Sequence, residues 1–288
     1  MPNDAPVLTA DGLLLHLRLW EPGAASRGQV LIVHGLGEHA GRYEAVAAAL
    51  KAYGWRVAAY DQRGHGASEG ERGVIAASDS LLCDLARVID RVHAEPGRPP
   101  TPLILLGHSL GGLVAARFVA ESLAAQPAPW ARPLDALVLS SPALDAGMSP
   151  LQKLLAAGAL RLAPDLALGN GLDPHWISRD PGVVQAYIDD PLVHNRISGR
   201  LASFIAEAGP QVVSLARQWR VPTLLMWAGA DRCVQPAGSA RFALAAPATV
   251  VAAHEWPGLA HELFNEPERN EVLGQLAQWL DRRFPPDF

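Results

Sequence analysis

The chain has 288 residues, of which 49% are hydrophobic and 18% charged, and a formal net charge of −5. That composition belongs to a globular protein with a large core, and the lack of any block of about five or more basic residues argues against a nucleic-acid partner. Two cysteines make no disulfide framework and no run of about 18 apolar residues reads as a transmembrane helix; the polar start Met1-Pro2-Asn3-Asp4 lacks the regions of a signal peptide, so a reduced, cytoplasmic protein is expected.

In chain order, residues 13–20 alternate apolar and polar side chains and predict a strand. Residues 29–34 (QVLIVH) form a continuous apolar run ending at Gly35, the pattern of a strand buried on both faces. Residues 56–60, 103–106, 136–139, 223–227 and 249–252 read the same way. Between them, Leu81, Leu82, Leu85, Val88, Ile89 and Val92 share one face of a helix, residues 113–125 carry another helical pattern, and Val272, Leu273, Leu276, Trp279 and Leu280 mark the last helix. Strands alternating with helices predict an α/β fold with a mostly parallel central sheet flanked by helices.

Residues 143–208 break the alternation. They hold no convincing strand, and they carry Leu154, Leu155, Leu160, Leu162, Leu166 and Leu168 followed by Pro-rich turns. A helical cap is expected here, inserted over the C-terminal edge of the sheet, where ligands of α/β sheets bind. The chain therefore divides into a first part of the core (residues 1–142), a cap or lid (143–208) and a second part of the core (209–288).

The strongest motif is Gly107-His108-Ser109-Leu110-Gly111-Gly112, set between an apolar run and a helical pattern. Strand, tight turn and helix are the context of a G-x-S-x-G nucleophile elbow, which projects a strained serine above the sheet. Gly107 and Gly111 let strand and helix approach closely, and the helix N-terminus favours a developing oxyanion. A serine hydroxyl needs a base, itself oriented by an acid. Asp231 follows the penultimate strand in Ala228-Gly229-Ala230-Asp231, and His261 follows the last in Gly258-Leu259-Ala260-His261. The order serine, acid, histidine is that of the α/β-hydrolase fold, so Ser109, Asp231 and His261 are the expected catalytic residues. The loop His34-Gly35-Leu36-Gly37-Glu38-His39 stands where such enzymes place the second oxyanion donor, and the N–H groups of Leu36 and Leu110 are assigned to that oxyanion hole.

Other residues in these motifs receive other readings. His254 is a rival base at the end of its strand, His108 a packing neighbour of the elbow, His34 a structural residue, and Glu262 sits too near its neighbour's ring to orient it. His34 and His39 lack the H-E-x-x-H pattern of a zinc helix, so no metal is expected. Residues 61–68 (DQRGHGAS) lack the phosphate-loop pattern and read as a structural loop. Cys233 reads as a packing residue, or a thiol near the pocket.

Together these stretches resemble the monoacylglycerol lipase and lysophospholipase family of α/β-hydrolases. The matching runs are HGLGEHAGRY at 34–43, DQRGHGAS at 61–68, GHSLGG at 107–112, SRDPGVVQAYIDDPLVH at 178–194, GAD at 229–231 and HELFNE at 261–266. The first and fourth are the more specific. The resemblance implies a cap over the pocket, an acyl chain in an apolar tunnel, and cleavage of a small single-chain lipid ester such as a monoacylglycerol, with no cofactor. Lysophospholipase and short-chain carboxylesterase activities are the alternatives. A peptidase or amidase on this scaffold needs an acidic group to hold an amine, which the sequence does not locate, and a non-catalytic binding protein would be expected to have lost one of the three residues. The leucines at 154–168 are expected to line the tunnel and set chain length, with transient contact with a membrane surface as an addition.

Overall fold

The computed structural model describes residues 6–23, 26–93 and 101–285. Residues 1–4, read above for a leader, lie outside the described residues. The chain opens with β1 (Val7–Leu8) and β2 (Leu14–Leu15), which pair antiparallel, and β3 (Leu17–Trp20). The single strand expected over 13–20 is therefore two. The chain breaks at His16, whose N–H donates to Ser68 Oγ at 2.8 Å while its carbonyl accepts from the Asp61 N–H at 2.9 Å, so the loop after the next-but-one strand diverts it.

The core then alternates as expected: β4 (Gln29–Val33), α1 (Glu44–Ala52), β5 (Arg56–Tyr60), α2 (Ser80–His93), β6 (Leu103–His108), α3 (Ser109–Glu121) and β7 (Ala136–Ser140). Every residue of β4, β5, β6 and β7 is buried. Side chains alternate across a sheet, and the two faces separate cleanly. Leu31, Leu105, Leu137 and Leu225 pack on one side with residues of α2 and α3, whereas Ile32, Ile104, Val138 and Leu224 pack on the other with Val46 and Leu50 of α1.

After β7 come α4 (Pro150–Leu162), β8 (Ala167–Gly169), α5 (Pro181–Asp189), β9 (Arg196–Ser198) and α6 (Gly199–Leu215), the last running past residue 208, where the cap was expected to end. The expectation of no strand in this segment is corrected: β8 and β9 pair antiparallel, but three residues each leave no alternation to read. Ser149 caps α4 in a reciprocal capping box with Gln152, and Ser198 caps α6 by accepting from the Leu201 N–H. α6 packs against both α3 and α4, and its later residues Ala208 and Val212 belong to the core cluster.

The chain returns to the core with β10 (Thr223–Ala228), α7 (Pro236–Ala245), β11 (Val251–Trp256) and α8 (Arg269–Arg283). The last strand runs to Trp256, beyond the apolar run 249–252 that predicted it, because β11 is an edge strand in which only Val251 is buried, so the later residues His254 and Glu255 can be polar. The main sheet has seven strands in the order β11-β10-β7-β6-β4-β5-β3, all parallel except β3. The C-terminal ends of β4, β6, β10 and β11 therefore converge on one rim, and each leads into one of the loops singled out by motif.

Candidate active site

β6 ends at His108 and α3 begins at Ser109, with no loop residue between them. Ser109 takes φ 52°, a left-handed conformation that costs a non-glycine residue about 1–3 kcal/mol. The glycines make the turn sterically feasible. A Cβ on Gly107 would lie 2.5 Å from the Gly111 carbonyl oxygen, and one on Gly111 would lie 2.1 Å from the Val33 oxygen.

The Ser109 hydroxyl points at the His261 ring. His261 Nε2 is 2.8 Å from Ser109 Oγ, and His261 Nδ1 is 2.6 Å from Asp231 Oδ2. This network assigns the tautomer: Nδ1–H donates to the carboxylate, and Nε2 accepts from the serine hydroxyl. Asp231 is held in turn by the N–H groups of Cys233 and Val234, at 2.8 and 3.0 Å from Oδ1. The acid and base loops are tied together, since the Gly229 and Ala230 N–H groups donate to the Trp256 and Leu259 carbonyls. Burial of the His261 ring disfavours its charged form, but the Asp231 carboxylate, joined by Glu262 and Glu38, outweighs burial and raises its pKa above the ordinary histidine value.

Leu36 and Leu110 flank the nucleophile. Leu36 follows β4 and Leu110 lies in the first turn of α3, and both line the cavity at Ser109. Sequence reasoning missed what shapes the Leu36 loop. Glu38, 3% exposed, accepts from the Gly35 N–H at 2.6 Å, from Tyr43 Oη at 2.7 Å and from Arg42 Nη1 at 2.8 Å. Burial opposes its charge, yet Arg42 and the nearby imidazoles of His108 and His34 hold its pKa down to about 2. Arg42 also grips Glu262 through two bonds of 2.5 and 2.7 Å. The segment before β9 presses on the same loop, because the His194 N–H donates to the Gly37 carbonyl at 2.8 Å and a Cβ on Gly37 would lie 2.2 Å from the His194 oxygen. The signal for this network was present in the HGLGEHAGRY stretch, read for its loop and not for its charges.

The remaining candidates take supporting places. His34 is fully buried, accepting from the Gln62 N–H at 2.9 Å and donating to the Gly35 carbonyl at 2.8 Å. His39 spends its nitrogens on the Gly41 N–H and on Asp190. His108 bonds the Ser140 carbonyl and stacks 4.7 Å from the His261 ring; burial, with the His261 charge beside it, lowers its pKa to about 4. His254 lies within β11 against Trp256, not at the strand's end. In the 61–68 loop, Asp61 accepts from the Ala40 and Ala67 N–H groups and Arg63 pairs with Asp84 and Asp11, a structural staple. Cys233 lines the pocket, and burial pushes its thiol pKa upward.

Two cavities meet at Ser109, sharing Leu36, Leu172 and Cys233. One, of about 490 Å³, is lined by Leu110, Met148, Trp176, Ile197, Ile205 and Val234. The other, of about 320 Å³, is lined by Glu38, Tyr187, Asp190, His194, Asn195 and Glu262. The expectation that the leucines at 154–168 line the tunnel is overturned. Leu154, Leu162, Leu166 and Leu168 are 69, 89, 59 and 59% exposed, and Leu160 borders a separate cavity with Arg117 and Arg200. The Leu155 side chain lies outside the described residues. Leu151, Leu154 and Leu162 of α4 are exposed, an outcome that sequence periodicity cannot distinguish from a face turned inward.

A serine on a strained strand–helix elbow, bonded to a histidine that is bonded to a buried aspartate at the C-terminal rim of a mostly parallel sheet, defines a serine hydrolase of the α/β-hydrolase fold. The chain belongs to the family described as serine aminopeptidase, S33, whose model matches residues 24–268. It is 36% identical over 275 residues to a monoacylglycerol lipase of Mycolicibacterium smegmatis, covering 93% of each chain. It is 33% identical over 280 residues to an uncharacterized abhydrolase domain-containing protein of Dictyostelium discoideum, spanning 96% of this chain but only 29% of that one. Among solved structures, the monoacylglycerol lipase of Paleococcus ferrophilus superposes with a TM-score of 0.80 at 34% identity, covering 93% of this chain and 99% of the other. With fold, site and full-length relatives in agreement, the chain is a serine ester hydrolase.

Proposed function

We propose that the protein releases a fatty acid from monoacylglycerol or a similar small single-chain lipid ester, with Ser109 as nucleophile, His261 as general base and acid, and Asp231 as the orienting carboxylate. His261 takes the hydroxyl proton as Ser109 Oγ attacks the ester carbonyl. The Leu36 and Leu110 N–H groups hold the resulting oxyanion. The imidazolium, stabilised by Asp231, then protonates the leaving alcohol, and a water molecule deacylates the enzyme by the same route.

The observation that carries this reading is the position of Ser109 between a larger, mostly apolar cavity and a smaller one in which carboxylates and histidines stand among apolar side chains such as Leu172, Ile177 and Val193. The larger, apolar one suits the acyl chain, each buried methylene contributing roughly 0.8 kcal/mol. The smaller suits a hydroxylated leaving group. Its carboxylates Glu38, Glu262 and Asp190 outnumber the Arg42 cation, which disfavours a phosphate-bearing headgroup and favours neutral glycerol over a lysophospholipid. The same carboxylates are what a peptidase reading lacked in the sequence, but Glu38 and Glu262 are already paired with Arg42 and Asp190 with His39, and Asp173 at the same cavity bonds His175 at 2.8 Å, so each already has a partner other than a substrate amine.

Residues 143–208 act as the cap in this reading. The exposed Leu151, Leu154, Leu162, Leu166 and Leu168 offer a surface for transient contact with a lipid layer, which makes the protein peripheral there. Among the described residues no helix is long and apolar enough to cross a membrane.

A fluorophosphonate probe should label the wild type and not Ser109→Ala; equal labelling of both would remove the nucleophile. A hydrolysis panel of monoacylglycerols, diacylglycerols and lysophospholipids should rank monoacylglycerols first. A preference for lysophospholipids would overturn the headgroup assignment without touching the mechanism.

A further inference from the structure

Glu266 lies five residues after His261 on a side chain with no solvent exposure. Its Oε1 accepts from Ser178 Oγ at 2.8 Å and from the Arg179 backbone N–H at 2.6 Å. Its Oε2 accepts from the Ala260 N–H at 2.9 Å and from Arg179 Nε at 2.6 Å. Burial works against its charge, but the bonds from Ala260, Arg179 and Ser178 outweigh it and hold its pKa below the ordinary carboxylate value.

The partners fall in two places only. Ala260 immediately precedes His261, and Ser178 and Arg179 belong to the cap stretch that leads into α5. On the other side of His261, the Glu262 N–H donates to the Ile177 carbonyl at 2.8 Å. Ser178 Oγ also reaches the Asn265 carbonyl at 3.0 Å. The backbone amides immediately before and after the base are thus bound through residues 177–179, one directly and one by way of Glu266. Ile177 lines the smaller cavity and its neighbour Trp176 the larger one, so the stretch that grips the base loop also borders both cavities.

We propose that Glu266 is a positioning residue for His261, tying the base's loop to residues 177–179 of the cap so that the imidazole stays within reach of both Ser109 and Asp231. The proposal rests on the serine–histidine–aspartate reading above. A carboxylate is required because all four partners are donors. A glutamine would turn an NH₂ group toward an N–H or a guanidinium, leaving buried donors facing one another. A displacement of about 1 Å at a reacting group can cost on the order of 10²-fold in rate.

The test uses the full chain, with p-nitrophenyl butyrate turnover measured across pH and the rate of fluorophosphonate labelling of Ser109. Glu266→Gln should lower kcat by about tenfold or more with KM little changed, and should slow labelling by a similar factor. The acid limb of kcat/KM should move to lower pH, since an imidazole drifting from Asp231 loses the partner that raises its pKa. Ser178→Ala and Arg179→Met should act in the same direction by smaller factors. A folded Glu266→Gln with unchanged kcat, with its loss confined to KM, or with an unmoved acid limb overturns the proposal. Should Glu266→Gln fail to fold, the other two variants decide: a fall in kcat with the shifted limb supports the tie, and wild-type values for both overturn it. Labelling of Ser109→Ala like the wild type would instead remove the nucleophile reading, a result separable from any behaviour of the Glu266 variants.

Discussion

The Arg42 guanidinium lies over the ring of Tyr187 in α5, 4.8 Å from its centroid. The contact carries one cation between two buried carboxylates and an aromatic face, and all four residues stand beside the base and the Leu36 loop. Arg42→Met leaves Glu38 and Glu262 without their counter-charge next to a site where negative charge develops. Breaking a buried pair in this way costs about 3–5 kcal/mol. A fall in melting temperature together with at least tenfold lower kcat/KM is expected, and Arg42→Lys should recover little, because a lysine cannot reproduce the bidentate grip on Glu262 or the stacking. Thermal melts and ester kinetics on both variants check this.

Activity should fall on the acid side as His261 takes up a proton. Its folded pKa is raised by Asp231, so the neutral, working form is lost as pH drops through a value above that of an ordinary histidine. Asp231→Asn should move that limb to lower pH and reduce kcat by about 10⁴-fold, since the asparagine favours the wrong tautomer. A kcat/KM profile of the two proteins reads both effects.

Glu38 makes an acid-stability prediction of the same kind with the opposite sign. Its folded pKa, about 2, is depressed below the unfolded value near 4.5. The stability it contributes is present above the unfolded value and is lost as pH falls from there toward 2. Glu38→Gln should therefore be less stable than the wild type at neutral pH, with the gap narrowing through that window in denaturant titrations.

Chain-length selectivity should respond to the apolar cavity and not to the surface leucines. Ile205→Trp fills space against Ile197 and Met148, and should shift the preferred monoacylglycerol to shorter chains. Leu154→Asp should leave turnover of a soluble ester as it was while weakening hydrolysis of the same lipid presented in vesicles. A change in chain-length profile from Leu154→Asp, or none from Ile205→Trp, would reverse the assignment.

Most of the fold could be read from the chain because its central strands are buried on both faces, and such strands announce themselves as unbroken apolar runs. Where burial is one-sided the signal failed: β11 continues through His254, Glu255 and Trp256 with alternating exposure, and β8 and β9 are three residues each. The three residues Ser109, Asp231 and His261 were legible because each follows a recognisable strand in a fixed order. Glu262 and Glu266 were not, and Glu38 and Arg42 only through their own short stretch, since the rest of their importance lies in partners far along the chain, such as Arg42 with Glu262 and Glu266 with Ser178. Sequence spacing carries no trace of a contact made by folding. The outward-facing leucines of α4 failed for a different reason: an apolar helix face reads the same whether it meets a cavity or solvent.

α6 imposes a limit on how this protein can be recombined with its relatives. Its first turns border the larger cavity at Ser109 through Ala202 and Ile205, while Ala208 and Val212 sit in the core cluster with α3. The continuous rod is about 25 Å long. A chimera joined at residue 208 would cut it midway and transplant its cavity-lining turns without the turns that anchor them on α3. A graft that exchanges substrate preference should instead replace the whole rod, from Gly199 to Leu215, and adjust its seat on α3 to match.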